Sequence, residues 1–219
     1  MLLLVRHGQS EANAAGLIVG RADSPLTELG HRQAVALGEA LASRGKAAFR
    51  ILTSPLQRAG HTAEAIASAY ARAGGSPALV EVQVDKRFVE LDYGGLDETM
   101  VSELPAGLWD RWRSDVTWRP SGGETLVEVG ARVGSACEEL AAQAAEGDVV
   151  IVSHVSPIKA AVIWALGAEP GLTWRLSLGV ASITRISTGG PMGPALVSFN
   201  ETGHLADLER PQAVTLVPK

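Results

Sequence analysis

Cysteine is nearly absent from this chain of 219 residues, in which Cys137 stands alone. One thiol excludes an internal disulfide framework and a thiolate metal cluster, fits a reducing compartment, and is expected to serve packing. An excess of basic charge is missing too: 19 Lys and Arg face 24 Asp and Glu, for a formal charge of −5. A general nucleic-acid binder would normally be basic, so that class is excluded and any anion site must be local. Long apolar runs are also lacking. The N-terminal run breaks at Arg6, too early for a secretory core, and AAVIWALGA at 160–168 is far short of a membrane span. The expectation is a cytoplasmic protein with neither nucleic acid nor membrane as partner.

What is present is globular: 46% hydrophobic and 20% charged residues, without an internal repeat or a low-complexity segment. The length suits one domain over 1–219. Short apolar runs predict strands at Leu2 to Val5, Arg50 to Thr53, Leu79 to Val84, Val149 to Ser153 and Val180 to Ile186, with a weaker one at Ala195 to Phe199. Helical patterns lie between them. Leu26, Leu29, Ala34, Leu37 and Leu41 mark a helix opening at Thr27 and closing at Gly45. Ser54-Pro55-Leu56-Gln57 reads as a serine cap, a first-turn proline and a capping box, for a helix ending near Gly74-Gly75. Another helix follows Gly122-Gly123-Glu124 to about Gly147, and a last one opens at Ser156-Pro157. This alternation predicts an α/β fold, a three-layer α/β/α sandwich around a mostly parallel sheet. Residues from about 88 to 123 carry Trp109, Trp112 and Trp118 among arginines and read as a cap-like excursion, or else as a surface helix packing its tryptophans underneath.

Three strand-to-helix crossings end in similar chemistry. LLLVRHG delivers Arg6 and His7, ILTSPLQR brings Arg58 about one turn into a helix, and VVIVSH delivers His154. In an open parallel sheet these crossings share the carboxyl edge, where ligands collect. Two guanidinium groups there, beside free N–H groups of helix N-termini, make an anion site and would repel a metal cation. A cation about 5 Å from an imidazole disfavours its protonation by roughly 3 kcal/mol at an effective dielectric of ~20. At least one histidine should then be neutral at pH 7, with a lone pair available for attack on phosphorus. The departing oxygen needs a proton, for which Glu90 and Asp92 are rival sources.

The ordered segments LVRHGQSEAN at 4–13, DSPLTELGHRQA at 23–34, TSPLQRAGHTAE at 53–64, ELDYG at 90–94, SGGET at 121–125 and VSHVSPIKA at 152–160 resemble the histidine phosphatase superfamily, also called phosphoglycerate mutase-like proteins. The resemblance implies that His7 is the nucleophile, that Arg6, Arg58 and His154 hold phosphoryl oxygens, and that Glu90 is acid and then base. It implies a substrate pocket lined by Ser10, Asn13, Tyr93 and the turn at Gly20, a small phosphorylated metabolite as substrate, and no metal or organic cofactor. Where the family usually has Gly-Gly after the second histidine, Val155-Ser156 stands here; Val155 keeps an N–H for phosphate while its side chain narrows the pocket. Lys159 falls where arginine is common and reads as a helix-surface cation. The interval from Glu90 to His154 is shorter than in the family's mutases, which favours a phosphatase; a cofactor-dependent phosphoglycerate mutase and a non-catalytic phospho-ligand binder are the alternatives. Asn200-Glu-Thr-Gly-His204-Leu is similar to a tail that packs by the site in bacterial phosphatase members, or else is an ordinary strand end. No residue pattern selects the ester or an oligomeric state.

Overall fold

A computed structural model describes residues 1–44, 48–74 and 81–208. Six strands form one sheet in the order β3-β2-β4-β1-β5-β6: β1 Leu2–Arg6, β2 Ala48–Thr53, β3 Val82–Val84, β4 Asp148–Ser153, β5 Ile183–Ser187 and β6 Ala195–Glu201. The first four in space run parallel, while β5 is antiparallel to both β1 and β6. The chain crosses over between the parallel strands through α1 Glu11–Ala14, α2 Glu28–Ala42, α3 Gln57–Arg72, α4 Leu108–Ser114 and α5 Leu126–Glu146, and α6 Val155–Leu166 follows β4.

The central strands are apolar over most of their length because both faces are covered. Side chains alternate across the pleat, and the two cores divide them accordingly. Leu3, Val5, Ile51, Val150 and Val152 pack with Leu37, Leu41, Ala63 and Ile66 of α2 and α3. Leu2, Leu4, Leu52, Val149 and Ile151 pack with Val133, Leu140, Ile158 and Ala161 of α5 and α6. The expected three layers follow from this division. Cys137 belongs to the second core, where burial pushes its thiol up to about 12.

Helix starts depart from the local sequence grammar at two places. Ser54 does not cap α3, which opens three residues later with Leu56 as its N-cap residue. Asp23 substitutes from a distance, its Oδ1 accepting the N–H of Gln57 at 2.8 Å. Likewise α6 opens at Val155, ahead of Ser156-Pro157, with His154 itself at the N-cap. Where no distant carboxylate intervenes, local rules hold: Thr27 caps α2, and Thr125 with Glu128 forms a capping box on α5. The strand expected at Leu79 to Val84 is reduced to Val82–Val84, with residues 79 and 80 outside the described part; α2 ends at Ala42, short of the expected Gly45, and α3 ends at Arg72, near the expected Gly74-Gly75, with Gly45 and Gly75 themselves outside the described part.

Residues 88–123 contain short 3₁₀ turns and α4 rather than strands. Trp109 and Trp112 of α4 are buried in the same core as Leu2 and Ile158, with Trp118 and Trp174 packed against it. Main-chain bonds tie this segment to the loop after α1, Ile18 N–H donating to Thr99 and Val101 N–H to Gly16. Among the described residues, no helix is long and apolar enough to cross a membrane.

Candidate active site

Strand register assembles the site. β1 and β4 run side by side with Arg6 opposite Ser153, so the next residue of each strand is a histidine. The His7 N–H donates to the Ser153 carbonyl at 3.1 Å, and the two imidazole centroids lie 5.0 Å apart. Next to β4, β2 ends at Thr53; Ser54 follows and its hydroxyl meets His154 Nε2 at 2.7 Å. The serine that reads as a helix cap is instead spent on an imidazole.

Gly8 lets this turn form, because a Cβ there would lie 2.4 Å from the Gly30 carbonyl oxygen of α2. Its N–H is received by Thr62 Oγ1 at 3.2 Å, and that hydroxyl donates to the Arg58 carbonyl at 2.7 Å. The His7 Nδ1 lies 2.6 Å from the Gly8 carbonyl. Since a carbonyl only accepts, Nδ1 carries the proton and Nε2 keeps the lone pair. Burial, then the charges of Arg58 and Arg6, hold the His7 pKa well below the usual histidine range. His154, with no exposed surface, is lowered by burial and then by Arg58, His7 and Arg6. Its Nδ1 has no hydrogen-bond partner among the described residues.

Both guanidinium groups are buried and aimed by carbonyls. Arg6 Nη1 donates to Leu178 at 2.6 Å; Arg58 donates to Ala22 at 2.7 Å and to Gly20 at 2.8 Å. Burial lowers Arg6 to about 10, against the opposing pull of Glu90, and lowers Arg58 as well. The loop that holds Arg58 is pinned in turn by Asp97, whose carboxylate accepts N–H groups of Gly20, Arg21 and Ala22 at 2.7, 2.9 and 2.9 Å.

Arg6, His7, Asn13, Arg58, Glu90, Tyr93 and Val155 line one cavity of about 410 Å³. Glu90 belongs to its wall, whereas Asp92 is drawn away into an ion pair with Arg21 at 3.3 Å and a bond from the Gly94 N–H at 2.9 Å. Glu90 also changes the expected anion site. Its carboxylate accepts N–H groups of Leu91 at 2.7 Å, Val155 at 3.0 Å and Ser156 at 3.1 Å. The α6 N-terminus is thus neutralised by Glu90, as the α3 N-terminus is by Asp23, and attraction for a ligand anion falls to the two guanidiniums.

Two further expectations are corrected. Ser10 is fully buried in a capping box with Asn13 and does not line the cavity, because its hydroxyl is taken up by the first turn of α1. Lys159 is not a surface cation: it is half-buried on α6 and lines a neighbouring chamber, since the face of α6 that carries Val155 points inward. Gly20 contributes its carbonyl to Arg58, and its close approach to Leu91 leaves no room for a Cβ, which would stand 2.6 Å from the Leu91 oxygen.

The tail from Asn200 contacts the loop beside the His7 strand end. Asn200 Oδ1 accepts the Gly179 N–H at 2.7 Å, and His204 Nε2 meets the Ala181 carbonyl at 2.9 Å. Ala181 N–H donates to the His7 carbonyl at 3.0 Å, so the tail buttresses the strand end that carries His7. Thr62, Asp97 and the 178–181 loop were not legible as site residues. Thr62 lies within a quoted motif, and Asp97 is an ordinary loop aspartate until its three N–H partners are seen. No group of three or more His, Cys, Asp or Glu suited to a metal ion occurs among the described residues.

Comparison with known proteins agrees with this geometry. The family model described as the histidine phosphatase superfamily, branch 1, matches residues 2–202. Glucosyl-3-phosphoglycerate phosphatase of Mycobacterium tuberculosis is 37% identical over 199 residues, covering 85% of this chain and 84% of that protein. A bifunctional protein of the same species is 36% identical over 207 residues, 93% of this chain, which spans 54% of that relative's length. A solved structure of the mycobacterial glucosyl-3-phosphoglycerate phosphatase has a TM-score of 0.79 at 30% identity, over 92% of this chain and 98% of the other. A mutant phosphoserine phosphatase of Entamoeba histolytica in complex with phosphoserine has a TM-score of 0.79 at 29% identity, over 93% of this chain and 98% of the other. With the family's pattern matched from the first strand to the last, this chain belongs to the histidine phosphatase superfamily.

Proposed function

We propose that the chain is a phosphomonoesterase that hydrolyses a small phosphorylated metabolite through a phosphohistidine on His7. The observation that carries this reading is a neutral imidazole with a free Nε2 lone pair, lining one cavity with two buried guanidiniums and a carboxylate. Arg6 and Arg58 would grip the phosphoryl oxygens, and His154 Nδ1 would meet a third. His7 Nε2 attacks phosphorus in line as the ester P–O bond breaks, and the proton carried by the monoanionic ester passes through the Glu90 carboxylate to the leaving oxygen. Water then attacks the phosphohistidine, losing a proton to Glu90 as the P–N bond breaks. Atoms and charge balance without a metal, and turnover is expected to survive chelation. Asn13 and Tyr93 complete the substrate wall, and residues 88–123 act as the cap of a single domain. The lone buried thiol supports a cytoplasmic setting.

Phosphate release from p-nitrophenyl phosphate by wild type and by His7→Ala tests the reading. The wild type should turn over and, quenched early with a ³²P-labelled ester, yield an acid-labile, base-stable label; His7→Ala should do neither. An active, labelled His7→Ala would refute it. Conversion of 3-phosphoglycerate, primed with bisphosphoglycerate, to 2-phosphoglycerate without phosphate release would make the chain a mutase instead.

A further inference from the structure

A second chamber of about 800 Å³ adjoins the cavity that holds His7, with Tyr93 and Val155 lining both. Its walls are of two kinds. Trp109, Trp112 and Trp174 form a continuous aromatic surface, with ring centroids 6.0 Å apart between the first two and 5.9 Å between the last two. Lys159 and Arg175 supply positive charge, and among the described residues no carboxylate lines the chamber. In a chain of net charge −5, this is a local reversal of sign.

Lys159 is four residues beyond Val155 on α6, hence one turn further along the same helix face. It has no ion-pair partner among the described residues. Burial lowers its ammonium to about 8, opposed by the charge of Glu90. Removing an unpaired ammonium from water is unfavourable, and a solvated position would avoid it. An unpaired Lys159 lining this chamber, with the phosphoryl site next door, calls for a ligand that carries an oxygen acceptor.

We infer that this chamber receives the leaving alcohol of the phosphate ester, and that Lys159 there pairs with a carboxylate which that alcohol carries. The inference rests on the phosphatase reading and narrows it to phosphate esters of hydroxy acids. The phosphoryl group lies among Arg6, His7 and Arg58, the alcohol passes Val155, its carboxylate reaches Lys159, and its carbon face rests on the tryptophans. Lys159 is a specificity-determining residue, with no part in the bond making and breaking.

The test compares 3-phosphoglycerate with glycerol 3-phosphate, which differ by a carboxylate against a hydroxymethyl group, on wild type, Lys159→Met and Lys159→Arg. The readout is the ratio of the two kcat/KM values within each variant, which cancels a general loss of activity. Wild type should favour the acid at least about tenfold, the scale of one charge-assisted hydrogen bond. Lys159→Met should bring the ratio close to one, chiefly by raising KM for the acid, and Lys159→Arg should keep most of the preference. Raising the pH from 7 to 9 should shrink the wild-type ratio as the ammonium loses its proton, and leave the Arg variant's ratio unchanged. A ratio that Lys159→Met and pH leave unmoved overturns the inference while phosphate release upholds the phosphatase reading. Absence of phosphate release from both esters and from p-nitrophenyl phosphate overturns both.

Discussion

Glu90 sits on the first turn of α6, its Oε2 accepting the Val155 N–H at 3.0 Å. Main chain, rather than another side chain, therefore aims this carboxylate at the cavity, and it does so across a gap of 65 residues in sequence. A helix N-terminus holds an anion well, which lets a buried acidic group remain beside the nucleophile without a dedicated basic partner.

Replacing Glu90 with Gln keeps the shape and removes the transferable proton. For an alkyl phosphate, kcat should fall by about 10²- to 10⁴-fold, the usual contribution of general acid–base catalysis. Formation of the phosphoenzyme from p-nitrophenyl phosphate should suffer much less, because that leaving group departs without protonation. Burst kinetics on the two esters measure the contrast; an equal loss on both would remove Glu90 from the acid role.

Arg58→Lys retains the charge and loses the fork. Two carbonyls, of Gly20 and Ala22, now orient a planar guanidinium, and an ammonium is a single point that cannot reproduce that geometry. A fall in kcat/KM of about 10²-fold is expected, within the range for a lost transition-state donor. Steady-state kinetics that stay within threefold of wild type would show that charge alone suffices.

Stability should depend on pH through His7 and His154. Both are held below the ordinary histidine range, by burial first and by Arg58 next. Between the folded-state values and about 6.5, the unfolded chain binds more protons, so stability rises with pH. The contribution is complete above about 6.5 and is lost as the pH falls toward the folded values, by at most about 1.4 kcal/mol per pH unit for each histidine. Urea denaturation between pH 5 and 7.5 should show this slope, and His7→Asn with His154→Asn should flatten it. An unchanged slope in the double variant would assign it to other groups.

Gly8→Ala should damage fold and site together. The new Cβ would meet the Gly30 oxygen at 2.4 Å, a backbone atom that cannot swing aside. A loss of about 2 kcal/mol or more is expected from such overpacking, with a fall in activity because the turn that carries His7 must shift. Thermal denaturation and turnover report the two effects; wild-type values for both would show that α2 yields easily.

Much of the architecture was legible because strand and core positions obey local periodicity. Leu2 to Val5 is apolar at every position and Val149 to Ser153 at all but its last, as strands covered on both faces must be, and they form β1 and β4 within one residue. Helix starts were less legible. Ser54-Pro55 and Ser156-Pro157 follow the rules for a cap, yet the structure caps α3 with Asp23 and α6 with Glu90, carboxylates that local grammar cannot see. Lys159 was misread for a related reason: a lysine on a helix belongs by default in water, and only the packing of α6 against the tryptophan-lined segment turns it inward.

By itself the sequence determined where strands stop and which reactive side chains stand at their ends, since both depend on a few neighbouring residues. Tertiary structure alone decided that Arg6 lies opposite Ser153, which sets His7 beside His154, and that Glu90 rather than Asp92 enters the cavity of His7. The physical reason is that register and distant capping are settled by contacts between residues far apart in the chain. Such contacts are selected by the packing of two cores on one sheet, and no short window of sequence contains them.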